Sequence, residues 1–233
     1  ALRAADDAWL FKMLVKGLAR RHGFAASFMA KPYLEYSGSG LHTHFSVLDK
    51  SGDNIFDSGG TKGSAMMRNA IAGCLTSMRD SALILAPHEN SFERLVPGKH
   101  APTAISWGYE NRTAAIRVPA GNPSARRIEH RVAGADVNPY LMLATILGAA
   151  LIGIEDGLEP PSPITGNAYA MDDLPQIPST WEDAIEAFET SAIMSRILPK
   201  ELIRNLVLTK KQELHYIAEL TAEEKVELYL DTV

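Results

Sequence analysis

An internal disulfide is excluded at once, because the 233-residue sequence contains one cysteine, Cys74. A chain without disulfides fits a reducing compartment, and a cytoplasmic location is expected. Cys74 lies inside an apolar helical pattern and reads as a small core residue rather than a reactive thiol. Long hydrophobic runs are also missing. The longest, Tyr140 to Ile154, falls short of the ~20 residues of a spanning helix and contains Gly148 and Gly153, so it reads as a buried helix. The chain enters a helical pattern directly from Ala1-Leu2-Arg3, with no basic stretch leading into an apolar one, so no signal peptide is expected. The lack of an initiating methionine suggests a piece of something longer. Basic residues are scattered, and 23 Lys and Arg stand against 28 Asp and Glu for a net charge of -5. Neither a nucleic-acid surface nor a membrane-binding one is expected. There is no internal repeat and no low-complexity tract.

What is present is enough chain for one large or two small domains with a real core. The apolar spacing predicts a helix over residues 4–22, with Asp6 and Asp7 near its start and Gly23 closing it. Strands are expected over 24–29 and 41–48, then a long helix over 62–85 and a polar loop over 87–102. Short strands follow near 104–107, 114–118 and 126–132. Asn138-Pro139 opens a helix to about Asp156. A proline-rich connector covers 160–178. Ser179-Thr180-Trp181-Glu182 reads as a capping box opening a helix to about Ser191. Another helix runs over 199–220, and Thr221-Ala222-Glu223-Glu224 caps a last one. The layout divides into active-site strands and helices (1–159), the connector and a helical tail (179–233). It is an α+β pattern: antiparallel strands backed by helices, then helices only.

Chemistry concentrates in a few stretches. In Ser37-Gly38-Ser39-Gly40-Leu41-His42-Thr43-His44-Phe45-Ser46, a glycine-rich turn opens into an alternating strand. Alternation puts His42, His44 and Ser46 on one face, the imidazoles about 7 Å apart. That spacing suits a metal ion beside a phosphate, and Gly38 and Gly40 let backbone N–H groups approach an anion. The alternative is a half-exposed sheet face with no ligand. In Ala125-Arg126-Arg127-Ile128-Glu129-His130-Arg131, Arg127, Glu129 and Arg131 share a face. A carboxylate can hold a cation while its flanking arginines clamp carboxylate or phosphate, or the three can form a surface ion-pair ladder. Arg94 sits in Glu89-Asn90-Ser91-Phe92-Glu93-Arg94-Leu95-Val96-Pro97-Gly98, and Asn111-Arg112-Thr113-Ala114-Ala115-Ile116-Arg117-Val118-Pro119 adds two more arginines.

In this order and spacing, SGSGLHTHFS, ENSFERLVPG, ENRTAAIRVP and ARRIEHR followed by ADVNPYL resemble the C-terminal part of the glutamine synthetase catalytic domain, over essentially the whole chain to about Tyr229. The resemblance implies an ATP-dependent ligase that moves the γ-phosphate to the glutamate side chain and lets an amine displace it. It implies metal ligation of Mg²⁺ or Mn²⁺ by His42 and Glu129, and nucleotide contacts from His44, Ser46, Arg117 and Arg127. Arg112 matches an arginine at the transferring phosphoryl group. Arg94, Arg131 and Gly38 match contacts to glutamate. Ring oligomers are implied for the full-length protein.

Two departures from the family pattern matter. A flap glutamate that takes a proton from ammonium is matched here by His100, in Gly98-Lys99-His100-Ala101-Pro102, and an asparagine before the glycine turn is matched by Ser37. Histidine supplies no permanent negative charge. The resemblance is therefore to the γ-glutamylpolyamine or γ-glutamylputrescine branch, including the run Ser106-Trp107-Gly108-Tyr109-Glu110-Asn111-Arg112. Ammonium-using glutamine synthetase, with His100 a neutral change at a loop tip, is one alternative; a non-catalytic structural or regulatory relative is another. Other metal-ligand glutamates and an N-terminal β-grasp domain of the family have no counterpart in these residues. Two donors leave Mg²⁺ under-coordinated, so these 233 residues alone are expected to be inactive.

Overall fold

The computed structural model describes residues 1–98 and 100–233, and Asp231 through its helical backbone alone. Helix α1 (Leu2–Arg21) ends as its sequence predicts. Gly23 adopts φ +75°, and the N–H groups of Gly23 and Phe24 donate to Arg20 O (3.2 Å) and Ala19 O (2.9 Å), closing a Schellman motif. Asp6 and Asp7 fall beyond its first turn, which holds no acid. The expected strand at 24–29 does not form. Its composition suits a strand, but a strand exists only with a hydrogen-bonding neighbour, and no ladder partner lies beside it among the described residues.

The sheet has four three-residue strands: β1 (Thr43–Phe45), β2 (Trp107–Tyr109), β3 (Ile116–Val118) and β4 (Ile128–His130), ordered β1-β4-β3-β2. β4 pairs antiparallel with β1 and with β3, as expected. β2 instead runs parallel to β3, Trp107 opposite Ile116 and Tyr109 opposite Val118. Such short strands need only a short return. Glu110, at a left-handed φ of +53°, begins the reversal. The strands are shorter than the runs expected at 41–48, 114–118 and 126–132, and β2 starts where the run 104–107 ends.

Behind the sheet, α2 (Ala65–Ser77) crosses α5 (Pro139–Glu155) at backbone contact. A Cβ on Gly73 would stand 2.1 Å from Ala149 O, and one on Gly153 would stand 2.1 Å from Asn69 O. α5 starts as the sequence predicts, with Pro139 at its first position and Asn138 Oδ1 accepting from the N–H groups of Tyr140 (3.0 Å) and Leu141 (3.2 Å). Cys74 is buried between the two helices, its thiol pushed up to about 12 by burial, as befits a core residue.

The helix expected over 62–85 is broken. α2 stops at Ser77, and α3 (Ala82–Leu85) begins after a turn in which Ser77 Oγ and Ser81 Oγ donate to Cys74 O and Met78 O, both at 3.2 Å. Serine hydroxyls compete there for helical carbonyls. The polar loop expected over 87–102 contains a helix, α4 (Glu89–Arg94), whose start is closed by the His88 N–H donating to Ser91 Oγ at 3.1 Å.

In the tail, α6 (Trp181–Thr190) is capped by Thr180 rather than Ser179: the Asp183 N–H donates to Thr180 Oγ1 at 3.1 Å. α7 (Met194–Ile197) was not expected. α8 (Lys200–Ile217) follows Pro199, and α9 (Ala222–Thr232) opens with the expected box, Thr221 N–H to Glu224 Oε2 at 2.8 Å and Glu224 N–H to Thr221 Oγ1 at 3.3 Å. The apolar stripe of α8, including Ile203 and Val207, joins the same core as α2 and α5. Among the described residues no helix is long and apolar enough to cross a membrane.

Candidate active site

Register brings the polar residues together. His44 on β1 stands opposite Glu129 on β4, and Glu129 stands opposite Arg117 on β3. Because side chains alternate, Thr43, Phe45, Ile116, Ile128 and His130 face the other way, towards the core side, and one face of three strands carries a charged row.

Glu129 is its centre, only 2 % exposed. Oε1 accepts from Arg131 Nη1 at 2.8 Å and lies 3.1 Å from His42 Nδ1 and 3.9 Å from His44 Nε2. Oε2 accepts from Arg117 Nη1 at 2.9 Å. Burial pushes this carboxyl up, but Arg131 and Arg117 outweigh it and hold it below the usual range, so it is ionised at neutral pH. His42 is held below its ordinary value by burial and by the charge of Arg131, against the pull of Glu129, and is a neutral imidazole at pH 7. Arg127 Nε donates to His44 Nδ1 at 3.3 Å. Arg131 Nη2 donates to Arg112 O at 2.7 Å, which ties the backbone of Arg112 to the cluster and leaves its side chain exposed.

Arg94 reaches this region from α4. It is buried, donates from Nη1 to Val132 O at 2.7 Å, and lies across the glycine turn. A Cβ on Gly38 would stand 2.6 Å from Ala30 O and 2.9 Å from Arg94 Cγ, and one on Gly40 would stand 2.7 Å from Arg94 Nη2. Gly38 and Gly40 are thus glycine because an arginine and a carbonyl occupy the space of a side chain.

The structure therefore gathers His42, His44, Glu129, Arg117, Arg127, Arg131 and the backbone of Arg112, with Arg94 bedded on Gly38 and Gly40. Ser46 lies exposed just beyond the end of β1. His100 is exposed at φ +64° and makes no hydrogen bond with the cluster among the described residues. Two acids in the sequence gave no signal of their own. Glu110 bonds Arg117 Nη2 at 3.3 Å and accepts from the Ala120 N–H. Asp136, buried beneath α4, accepts from Ser91 Oγ.

The buried Nε–H groups of Arg117 and Arg131 have no acceptor among the described residues. The arginine row suits phosphates and carboxylates. The fit to a metal is partial. His42 and Glu129 offer one neutral imidazole and one carboxylate, and no group of three or more His, Cys, Asp or Glu is arranged to hold an ion among the described residues. That is part of a Mg²⁺ site, not a whole one.

A family model described as glutamine synthetase, catalytic domain, matches residues 1–229. The chain is 37 % identical over 229 residues to gamma-glutamylputrescine synthetase PuuA of Escherichia coli, a match covering 98 % of this chain and 48 % of that protein. It is 41 % identical over 203 residues to gamma-glutamylethanolamide synthetase GlnA4 of Streptomyces coelicolor, covering 87 % and 43 %. Among solved structures, GmaS in complex with ADP superposes with a TM-score of 0.84 at 32 % identity, over 97 % of this chain and 54 % of that one. The chain spans about half the length of the curated relatives it matches.

Proposed function

We propose, for a chain that belongs to the glutamine synthetase family, an ATP-dependent ligase activity that joins the side-chain carboxylate of glutamate to a primary amine, these residues forming the C-terminal part of the active site. The observation that carries the reading is the charged row across β1, β4 and β3, with Arg94 bedded on the glycine turn beside it. The relatives named for γ-glutamyl amides of putrescine and ethanolamine support an amine larger than ammonia.

The roles follow from charge and position. Arg94 and Arg131 bind glutamate carboxylate by paired N–H donors, and Gly38 lets the backbone approach it. His44, Ser46, Arg117 and Arg127 face the nucleotide phosphates. Arg112, held by its backbone and exposed at its side chain, meets the phosphoryl group in transfer. A side-chain carboxylate oxygen of glutamate attacks the γ-phosphorus of ATP and ADP leaves; the amine nitrogen then attacks the carbonyl carbon of the resulting acyl phosphate, phosphate leaves, and the amine gives up a proton. Little covalent chemistry falls to the protein, so positioning and stabilisation of negative charge are its main contribution. Mg²⁺ or Mn²⁺, held in part by His42 and Glu129, would neutralise phosphate charge when bound. His100, on its exposed loop, is assigned to the amine side. Assembly into rings and a cytoplasmic location belong to the same proposal.

The test is ATP-dependent phosphate release by the intact enzyme with glutamate and Mg²⁺, comparing ammonium with mono-, di- and polyamines. Release driven by the larger amines and not by ammonium is expected. Release driven by ammonium returns the protein to glutamine synthetase proper, and silence with every amine overturns the reading.

A further inference from the structure

Four consecutive residues at the start of α4 are each gripped by a different part of the chain. His88 Nδ1 lies 2.9 Å from Glu213 Oε1 on α8. Glu89 Oε1 accepts from Lys225 Nζ on α9 at 2.9 Å. Asn90 exchanges two hydrogen bonds with the backbone of Lys31, at 2.9 and 2.8 Å. Ser91 Oγ donates to Asp136 and accepts from the His88 N–H. Arg94 leaves the other end of the same short helix. A helix of fewer than two turns has no joint in it, so a displacement of His88 is a displacement of Arg94.

Glu213 is itself fixed from several sides. Lys210 Nζ donates to its Oε2 at 2.7 Å and Tyr229 OH to its Oε1 at 3.4 Å, while the Tyr229 ring stands 5.1 Å from that of His88. Burial pushes its carboxyl up, but the hydrogen bond to His88 and the charge of Lys210 outweigh burial and hold it below the usual range. The helical tail shows no chemistry in its sequence, yet it spends an ionised, half-buried acid on the helix that carries Arg94.

We propose that Glu213 is a positioning residue: through His88 it sets the placement of α4, and so of the Arg94 guanidinium that receives glutamate. This rests on reading Arg94 as a glutamate-binding arginine. A misplacement on the order of 1 Å in such a group costs up to about a hundredfold in rate.

Glu213→Gln in the intact enzyme keeps the size of the side chain and removes its charge. The KM for glutamate is expected to rise about tenfold, with the KM for ATP and kcat each within about threefold. His88→Asn approaches the same contact from its other partner and is expected to give the same split. With Arg94→Ala already in place, Glu213→Gln is expected to add nothing to the glutamate KM, because coupled residues are not additive. Glutamate and ATP constants moving together, or an unchanged glutamate KM in both single variants, overturns the proposal while Arg94→Ala alone still raises that constant. If Arg94→Ala alone leaves it unchanged, the assignment of Arg94 fails first and the proposal falls with it.

Discussion

Glu129 and Gly73 are both buried, one on the polar face of the sheet and the other in the helix crossing behind it, and opposite changes break each. Around Glu129, two guanidinium groups and an imidazole converge on one carboxylate, so the structure there fails when a group is removed. At Gly73 nothing is exchanged but contact. Two backbones touch, and the structure fails when one methyl is added. The first arrangement costs desolvation and yields a row of charges ready for a ligand. The second costs nothing electrostatic and supplies the rigid backing that keeps the row in register.

The sharpest way to break the comparison is Glu129→Ala. It leaves buried Arg131 and half-buried Arg117 without their common partner, and a loss of about 3 kcal/mol in unfolding free energy is expected by chemical denaturation, along with loss of activity. Gly73→Ala comes next, at about 3 kcal/mol, because the neighbour that must yield is a backbone carbonyl and not a flexible tip.

A pH series then separates the two regions. His130 is fully buried behind the row, and burial holds it down to about 4. Folded His130 stays neutral while the unfolded chain takes up its proton near 6.5, so its contribution is complete above pH 6.5 and is lost as pH falls to about 4. The span amounts to roughly 3 kcal/mol. His130→Leu is expected to flatten that slope in a denaturation series, whereas the Gly73→Ala penalty is expected to be the same at pH 5 and pH 8. The smallest effect expected is for Asn138→Ala, which removes the acceptor for two N–H groups at the start of α5 and costs about 1 kcal/mol.

The helical backing was largely legible in the sequence, because its signals are local: the spacing of apolar residues, Asn138-Pro139, Gly23 and the Thr221–Glu224 box. The break after Ser77 and the short α4 were not, since a serine's choice of acceptor and the four grips on 88–91 depend on the folded surroundings. The strand predicted at 24–29 fails for the complementary reason: composition can favour a strand, but only a neighbour makes one. In the site, alternation along one strand gave the shared face of His42 and His44, and of Arg127, Glu129 and Arg131. The pairing of His44 with Glu129 and of Glu129 with Arg117 is a matter of register between distant segments. Glu110 and Asp136 fall inside the stretches ENRTAAIRVP and ADVNPYL, yet nothing local marks their bonding partners, and Glu213 carries no motif at all.

The glycine turn under Arg94 has a consequence for how this sequence can diversify. A side chain at Gly38 must displace a carbonyl and an arginine, whereas His100 stands in the open. Substitution is channelled by that asymmetry: position 100 accepts a change of side chain that position 38 does not. Side chains are tolerated at position 100 and excluded at positions 38 and 40. The left-handed backbone at His100 adds a filter, admitting Asn or Gly readily and resisting Val, Ile and Thr.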